Sequence, residues 1–111
     1  MSQLKNNRHE ASLQYALSVL TEKYKEYVQS IYLYGSYARK DYNYNSDVDL
    51  FICVTDNISA RIIAHMRSDV IPDDYTLPEV ELMISTSGLK NPSNQFTINL
   101  RRDAQLLWKN Q

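Results

Sequence analysis

Apolar positions in the first quarter of the chain recur at helical spacing. Leu13, Leu17, Leu20, Tyr24 and Tyr27 or Val28 fall on one stripe, with Glu22, Lys23 and Lys25 between them. That pattern predicts an amphipathic helix over residues 8 to 28. The period then changes. Ser30-Ile31-Tyr32-Leu33-Tyr34 is a short β-branched and aromatic run, the composition of a strand, and it stops at Gly35. Ser36 to Lys40 predicts a short helical turn, and Asp41 to Ser46 a polar connection. Val48 to Val54 is apolar at both alternating sets of positions, so it reads as an internal strand covered on two faces. Ile58, Ile62, Met66 and Val70 mark a second amphipathic helix, capped by Asn57 or Ser59 and ended by Pro72-Asp73-Asp74. Glu79 to Ser85 predicts a third strand and Ser87 to Pro92 a loop. A final helix begins near Asn91 or Ser93, with Pro92 suited to its first turn. Gln105 to Trp108 fits either a continuation of that helix or another strand.

The order α, β, short α, β, α, β, α predicts an α+β fold, a small mixed sheet backed by helices on at least one face. No linker or repeat divides the 111 residues, which read as one domain over 1–111, an N-terminal helix followed by a core over about 30–109. The net charge of −1 leaves no electrostatic footprint for tight non-specific nucleic-acid binding. The single cysteine, Cys53, has no disulfide partner within the chain and lies in an apolar run, where a buried thiol is expected. MSQLKNNRHEAS carries no apolar stretch of a secretory signal, and no window reaches the length of a membrane span. A cytoplasmic protein is expected.

Chemistry concentrates in GSYARKDYNYNSDVDLF, residues 35 to 51. Asp41, Asn43, Asn45, Asp47 and Asp49 alternate there like ligands for a cation. Asp41-x-Asn43-x-Asn45 matches the opening of a calcium-binding EF-hand loop, but the fit ends there. Ser46 stands where that loop needs Gly, Ile52 where it needs a bidentate Glu, and the segment runs into a strand rather than a helix. Asp47-x-Asp49 heads that strand instead. Carboxylates two apart share a face, with α-carbons about 6.5 Å apart. Such a pair can bridge divalent ions of a phosphoryl-transfer site, where two metals lie roughly 3.5–4 Å apart. On Asp-x-Asp alone, two solvated acids at a strand end would be the simpler reading.

Gly35-Ser36 changes that balance. Only a short connection separates the strand ending at Tyr34 from the one beginning at Val48, which favours antiparallel neighbours. Gly35, Ser36 and the two aspartates then gather at one edge of the sheet. Gly permits close backbone approach to a phosphate, and the amides of the following turn and the Ser36 hydroxyl supply donors.

Gly35-Ser36, ten residues, then Asp47-Val48-Asp49 resembles the signature of the DNA polymerase beta-like nucleotidyltransferase superfamily. GSYARKDYNYNSDVDLFI is closest to the Gly-Ser-x-Ala-Arg-Gly-…-Ser-Asp-x-Asp-Leu pattern of its minimal nucleotidyltransferases, the MNT family; Ala38, Arg39, Ser46 and Leu50 match as well. A weaker likeness continues through Phe96-x-Ile98 and Arg102-Asp103-Ala104-x-x-Leu107. The resemblance implies a small mixed sheet with helices mainly on one face. It also implies transfer of a nucleoside monophosphate from an NTP, with AMP from ATP the expected case, onto a hydroxyl. Magnesium, or manganese in its place, would assist. Asp47 and Asp49 would match the metal-holding carboxylates, Gly35 and Ser36 the triphosphate grip. Arg39 would either reach the same phosphates or face solvent. A third, catalytic and metal-binding carboxylate is implied, for which Glu81 is the best match, Glu79 its rival, and Asp73 and Asp74 fit worse. Two positions depart from the family, Glu81 where Asp is usual and Lys40 where Gly is usual.

MNT proteins are often paired with HEPN-domain toxins as antitoxins and can adenylylate a partner tyrosine. A protein partner is therefore expected, with an acceptor site shared between the two chains; a homo-oligomer stays open. The alternative function is a binding module that neutralises a partner without turnover. Tyr37, Tyr42 and Tyr44 fit surface or packing roles better than base stacking, and His9 and His65, without a metal-ligand partner at useful spacing, are assigned no function.

Overall fold

The structure is a computed structural model that describes residues 8–86, 100 and 102–110. Helix α1 spans Arg8–Glu22, strand β1 Val28–Tyr34, helix α2 Gly35–Arg39 and strand β2 Val48–Val54. Helix α3 follows at Ala60–Asp69, then strands β3 at Val80–Ser85 and β4 at Gln105–Lys109. The sheet runs in the order β3-β2-β1-β4. β1 is antiparallel to both β2 and β4, whereas β2 and β3 are parallel. The parallel pair needs a crossover, and α3 supplies it.

Alternation along the strands sorts the core into two layers. Val28, Ile31 and Leu33 of β1, Leu50, Ile52 and Val54 of β2 and Leu82 of β3 pack with Leu13, Ala16 and Leu20 of α1, Ala38 of α2 and Met66 of α3. Each fully buried Val, Leu, Ile or Met of this set contributes about 1.5–3 kcal/mol. Opposite lies a smaller cluster of Phe51, Cys53 and Leu100, flanked by Tyr32, Tyr34 and Ala104. The sheet is mixed with its long helices on one face, and β2 is buried on both, as its continuous apolar run predicts. Cys53 is a buried thiol. Among the described residues no helix is long and apolar enough to cross a membrane.

α1 ends at Glu22, six residues before the expected limit, and residues 23–27 form turns. Tyr24 and Val28 are nevertheless core residues, 5% and 1% exposed. A turn leading into a strand buries residues four apart here just as a helix would, so spacing alone misplaces the boundary. Ser59 caps α3, its hydroxyl accepting from the Ile62 N–H at 3.2 Å. Residues 105–109, ambiguous in sequence, form strand β4. The loop expected at Ser87 to Pro92 and the start of a helix near Asn91 or Ser93 lie outside the described residues.

The corner between α1 and α3 carries an ionic clasp. Lys23 Nζ lies 2.6 Å from Asp69 Oδ2, and the Tyr24 hydroxyl donates to the same oxygen. The Lys23 bond first, then that of Tyr24, holds Asp69 below the ordinary carboxylate range. A depressed carboxylate stabilises the fold above its unfolded pKa, and that contribution is lost as pH falls through the folded value. Lys23 is largely exposed, so solvent screens the pair. Asp69→Asn is expected to cost about 0.5–1 kcal/mol at pH 7. Urea midpoints should show the difference shrinking as the pH is taken below 4 and onward towards 2.

α2 ends in a Schellman motif. The Asp41 N–H donates to the Ser36 carbonyl at 3.1 Å and the Lys40 N–H to that of Tyr37 at 3.2 Å. Lys40 itself takes φ 67° and ψ 26°, the left-handed conformation that favours Gly. The position thus has a backbone reason for the glycine usual in the MNT pattern. Left-handed strain of about 1–2 kcal/mol, less the entropy of a more flexible unfolded chain, sets the expectation for Lys40→Gly. Thermal unfolding should show a gain of about 0.5–1 kcal/mol.

Candidate active site

β1 leaves the sheet at Tyr34, and the backbone turns at once through Gly35, with φ +81°. Tyr34 pairs with Asp49 across the antiparallel ladder, and Asp49 pairs with Glu81 across the parallel one. Residues directly opposite share a sheet face, so Tyr34, Asp49 and Glu81 form a row on the face away from α1 and α3. Asp47 precedes β2 by one residue, two before Asp49 and therefore on its side of the strand. Glu79 stands just before β3, where its carbonyl accepts the Val48 N–H at 2.9 Å. The antiparallel pairing expected from the short connection is present, and it brings Gly35 against Asp49.

That approach is close. A β-carbon on Gly35 would lie 2.3 Å from Asp49 Oδ2. The missing side chain is the space in which the carboxylate sits. Asp49 is pushed up to about 6, first by burial, then by the charges of Glu81 and Asp47, with Arg39 opposing them. Tyr34 is pushed up to about 12 by burial, then by Asp49 and Glu81. Arg39 is half exposed, its Nε 3.2 Å from Asp41 Oδ2, yet its charge still reaches Asp49. Asp74 is engaged in its own turn, accepting from the Thr76 N–H and hydroxyl at 2.9 and 2.6 Å.

The asparagine ladder has a structural use. Asn43 Oδ1 accepts from the Asn45 N–H at 2.9 Å, and Ser46 Oγ accepts from the Asn43 N–H at 3.0 Å. These bonds shape the connection that delivers Asp47. Tyr37 and Tyr42 pack around His9, while the Arg8 guanidinium lies 3.7 Å from the centre of the Tyr44 ring. His9 is 3% exposed, and its Nε2–H donates to the Ser46 carbonyl at 2.8 Å. Its involvement was open to detection, because His9, Leu13, Ala16 and Leu20 share one helical stripe.

Among the described residues, no three Asp, Glu, His or Cys side chains form a group able to hold a metal ion by themselves. Magnesium asks for less. It binds through one or two carboxylates and completes its octahedron with waters and phosphate oxygens. Asp49, half-buried and pressed by two like charges, is a donor whose charge a divalent cation relieves. The pair Asp47 and Asp49 therefore fits such an ion, with Glu81 beside it. A cavity of about 640 Å³ between α1, α2 and β4, floored by Leu13, Leu17, Leu33 and Leu107, contains none of these acids.

Comparison with known proteins bears on the family and the fold. Residues 17–110 match the family described as polymerase beta, nucleotidyltransferase. No curated protein sequence matches the chain. Among solved structures, the chain is similar to one from a toxin–antitoxin crystal with AMP-PNP, at 20% identity and a TM-score of 0.61, covering 88% of this chain and 73% of that one. It is similar to a candidate nucleotidyltransferase of Sulfolobus solfataricus, at 20% identity and a TM-score of 0.58, covering 92% and 84%. A tyrosine-to-alanine mutant of the toxin–antitoxin MntA–HpeT gives 20% identity and a TM-score of 0.57, covering 86% and 70%. At that identity the structures speak for the fold, and the family match speaks for the kind of enzyme. With Gly35-Ser36 turning against Asp47-Val48-Asp49 in an MNT-type arrangement, this chain belongs to the polymerase beta nucleotidyltransferase family.

Proposed function

We infer that this protein is a cytoplasmic, magnesium-dependent nucleotidyltransferase that moves AMP from ATP onto a hydroxyl. The acceptor is a tyrosine of a HEPN-type toxin partner, so the transfer acts as an antitoxin. The observation that carries the reading is Asp49, seated against Gly35 and flanked in the sheet by Glu81. Its similarity in fold to toxin–antitoxin structures, one of them with AMP-PNP, supports the substrate and the partner.

In this reading Gly35 and Ser36 take the triphosphate, Gly35 by close backbone approach and Ser36 through its hydroxyl. Asp47 and Asp49 would hold magnesium, which when bound supplies neutralising charge at the triphosphate oxygens. Arg39 adds positive charge on the same side. Glu81, which reaches the site from the neighbouring strand, accepts the proton of the attacking hydroxyl. The acceptor oxygen bonds to the α-phosphorus, the bond to the bridging oxygen breaks, and pyrophosphate leaves. Glu79 precedes the strand and is placed less directly beside Asp49.

The test is incubation with α-labelled ATP and magnesium, with and without the product of the adjacent gene. Label on that partner, absent with an Asp47→Ala/Asp49→Ala variant, is the expected result. A tight complex that never acquires label would overturn the transfer reaction and leave neutralisation by binding alone.

A further inference from the structure

His9 stands in the first turn of α1, remote in sequence from the acids, yet its ring touches both halves of the candidate site. It stacks on Tyr37 of α2 at 5.4 Å between ring centres and meets Tyr42 at 4.5 Å; the two tyrosines meet each other at 4.8 Å. The Tyr37 hydroxyl in turn donates to Glu10 Oε1 at 2.7 Å. The His9 Nε2–H donates to the carbonyl of Ser46, the residue immediately before Asp47. One side chain thereby links the turn that begins at Gly35 to the backbone that presents Asp47.

Its neighbours on α1 secure the other carboxylate-bearing strand. Arg8 donates to the Tyr44 carbonyl at 3.2 Å and, through Nε, to the Thr76 carbonyl at 3.1 Å. Ser12, fully buried, donates to the Pro78 carbonyl at 2.6 Å. Thr76 and Pro78 lead into Glu79 and Glu81. The start of α1 therefore holds both chain segments that enter the acid row. Asp41, Asn43, Tyr44, Asn45 and Asp47 are exposed, so most of the connection has no core packing of its own. At Ser46 the hydrogen bond from a buried ring supplies a fixed point.

We propose that His9 is a positioning residue, whose hydrogen bond to the Ser46 carbonyl sets Asp47 against Asp49 and so sets the affinity of the pair for a divalent cation. The proposal rests on the reading of Asp47 and Asp49 as the cation-holding pair. Partners one step removed from a ligand typically change metal affinity by about 10–100-fold, through orientation rather than contact. His9 acts on the backbone beside the ligand, which places its effect at the lower end of that range.

Two substitutions separate the bond from the packing. His9→Phe keeps a ring against Tyr37 and Tyr42 but has no N–H. His9→Gln has a donor of similar reach and no ring. The readout is Mn2+ affinity of the purified full chain, from the free-ion signal in electron paramagnetic resonance, with thermal unfolding in EDTA alongside. His9→Phe should weaken Mn2+ binding about tenfold, and His9→Gln should stay within about threefold of the unsubstituted protein, even if it melts lower. A purely structural role would give the reverse order, because Gln loses more packing. Unchanged Mn2+ affinity in folded His9→Phe, or equal weakening by both variants, overturns the proposal.

Asp47→Asn in the same titration keeps the two readings apart. If it loses affinity while His9→Phe does not, only the role of His9 falls. If Asp47→Asn binds as the unsubstituted protein does, the cation-pair reading falls and takes the proposal with it. Should His9→Phe fail to fold, nuclear magnetic resonance of the His9 ring in the unsubstituted protein decides. Addition of Mg2+ should shift the Nε2–H resonance, and an unmoved resonance at saturating Mg2+ overturns the proposal.

Discussion

Asp49→Asn is expected to reduce nucleotidyl transfer by at least about a thousandfold while making the metal-free protein more stable. The two effects share one cause. Asp49 is half-buried beside Glu81 and Asp47, and burial first, then those two charges, pushes its pKa up to about 6. A carboxyl raised in the folded state binds more protons there than in the unfolded chain, so metal-free stability falls as pH climbs from the ordinary value of 3.8 towards 6. Asn keeps the shape and removes the charge. After allowance for partial solvent access, unfolding in EDTA at pH 7 should give a gain of about 1–2 kcal/mol. At pH 4, where Asp49 is mostly protonated in the fold, the gain should nearly disappear. Activity moves the other way, because loss of one preorganised electrostatic group costs about 10²–10³ and here the cation is weakened too. A variant less stable than its parent in EDTA would contradict the account of Asp49 as a strained acid. A variant that transfers normally would remove it from the reaction.

The same tension explains what could be read from the chain beforehand. Val48–Val54 was legible to the residue, because a strand buried on both faces leaves a short apolar run, Leu50 to Val54, whose length and β-branched and aromatic content favour a strand over a helix. The placement of Gly35 beside the aspartate pair was legible because a glycine ends one strand, the pair heads the next, and residues two apart share a strand face. The short connection also implied the antiparallel pairing that brings Tyr34 opposite Asp49. Less legible were features decided by distant contacts. Gln-Leu-Leu-Trp-Lys at residues 105–109 has no period of its own, and becomes a strand because β1 offers its free edge. The Gln105 side chain, which donates to the Ala38 carbonyl at 3.1 Å, helps hold it there.

His9 and Lys40 show two further limits. Read by spacing to other ligands, His9 has no partner and no role. Read by the stripe it shares with Leu13, it belongs in the interior, where its ring nitrogen must find a carbonyl. The second reading is the one its burial bears out. Lys40 departs from the MNT pattern at a position whose requirement is conformational. Its left-handed backbone persists without the glycine because the two bonds of the Schellman motif offset the strain. Departure from a pattern at such a site alters stability, whereas Glu81, in register with Asp49, alters the reach of a carboxylate within the row.

Gly35→Ala should separate geometry from stability more sharply than any other single change. Alanine at φ +81° carries left-handed strain of about 1–2 kcal/mol, which denaturant unfolding should recover in full. The new methyl would also meet Asp49, with Oδ2 at 2.3 Å, Cγ at 3.0 Å and Cβ at 3.2 Å. The far end of a carboxylate can swing aside, so the fold survives the clash by sacrificing the position of Asp49. Displacement of a reacting-site group by about 1 Å costs roughly a hundredfold in rate, and transfer should fall by at least that much. Combining the substitution with Asp49→Ala tests the mechanism directly. With the carboxylate removed, the contacts at 2.3 and 3.0 Å vanish and only the β-carbon at 3.2 Å remains, so the stability cost of Gly35→Ala should shrink towards the backbone strain. Residues in contact are expected to show such non-additivity, whereas independent sites add. If Gly35→Ala costs the same with and without the Asp49 carboxylate and leaves Mn2+ affinity untouched, then the glycine serves only the turn. The close approach of backbone to acid would then have no part in the chemistry.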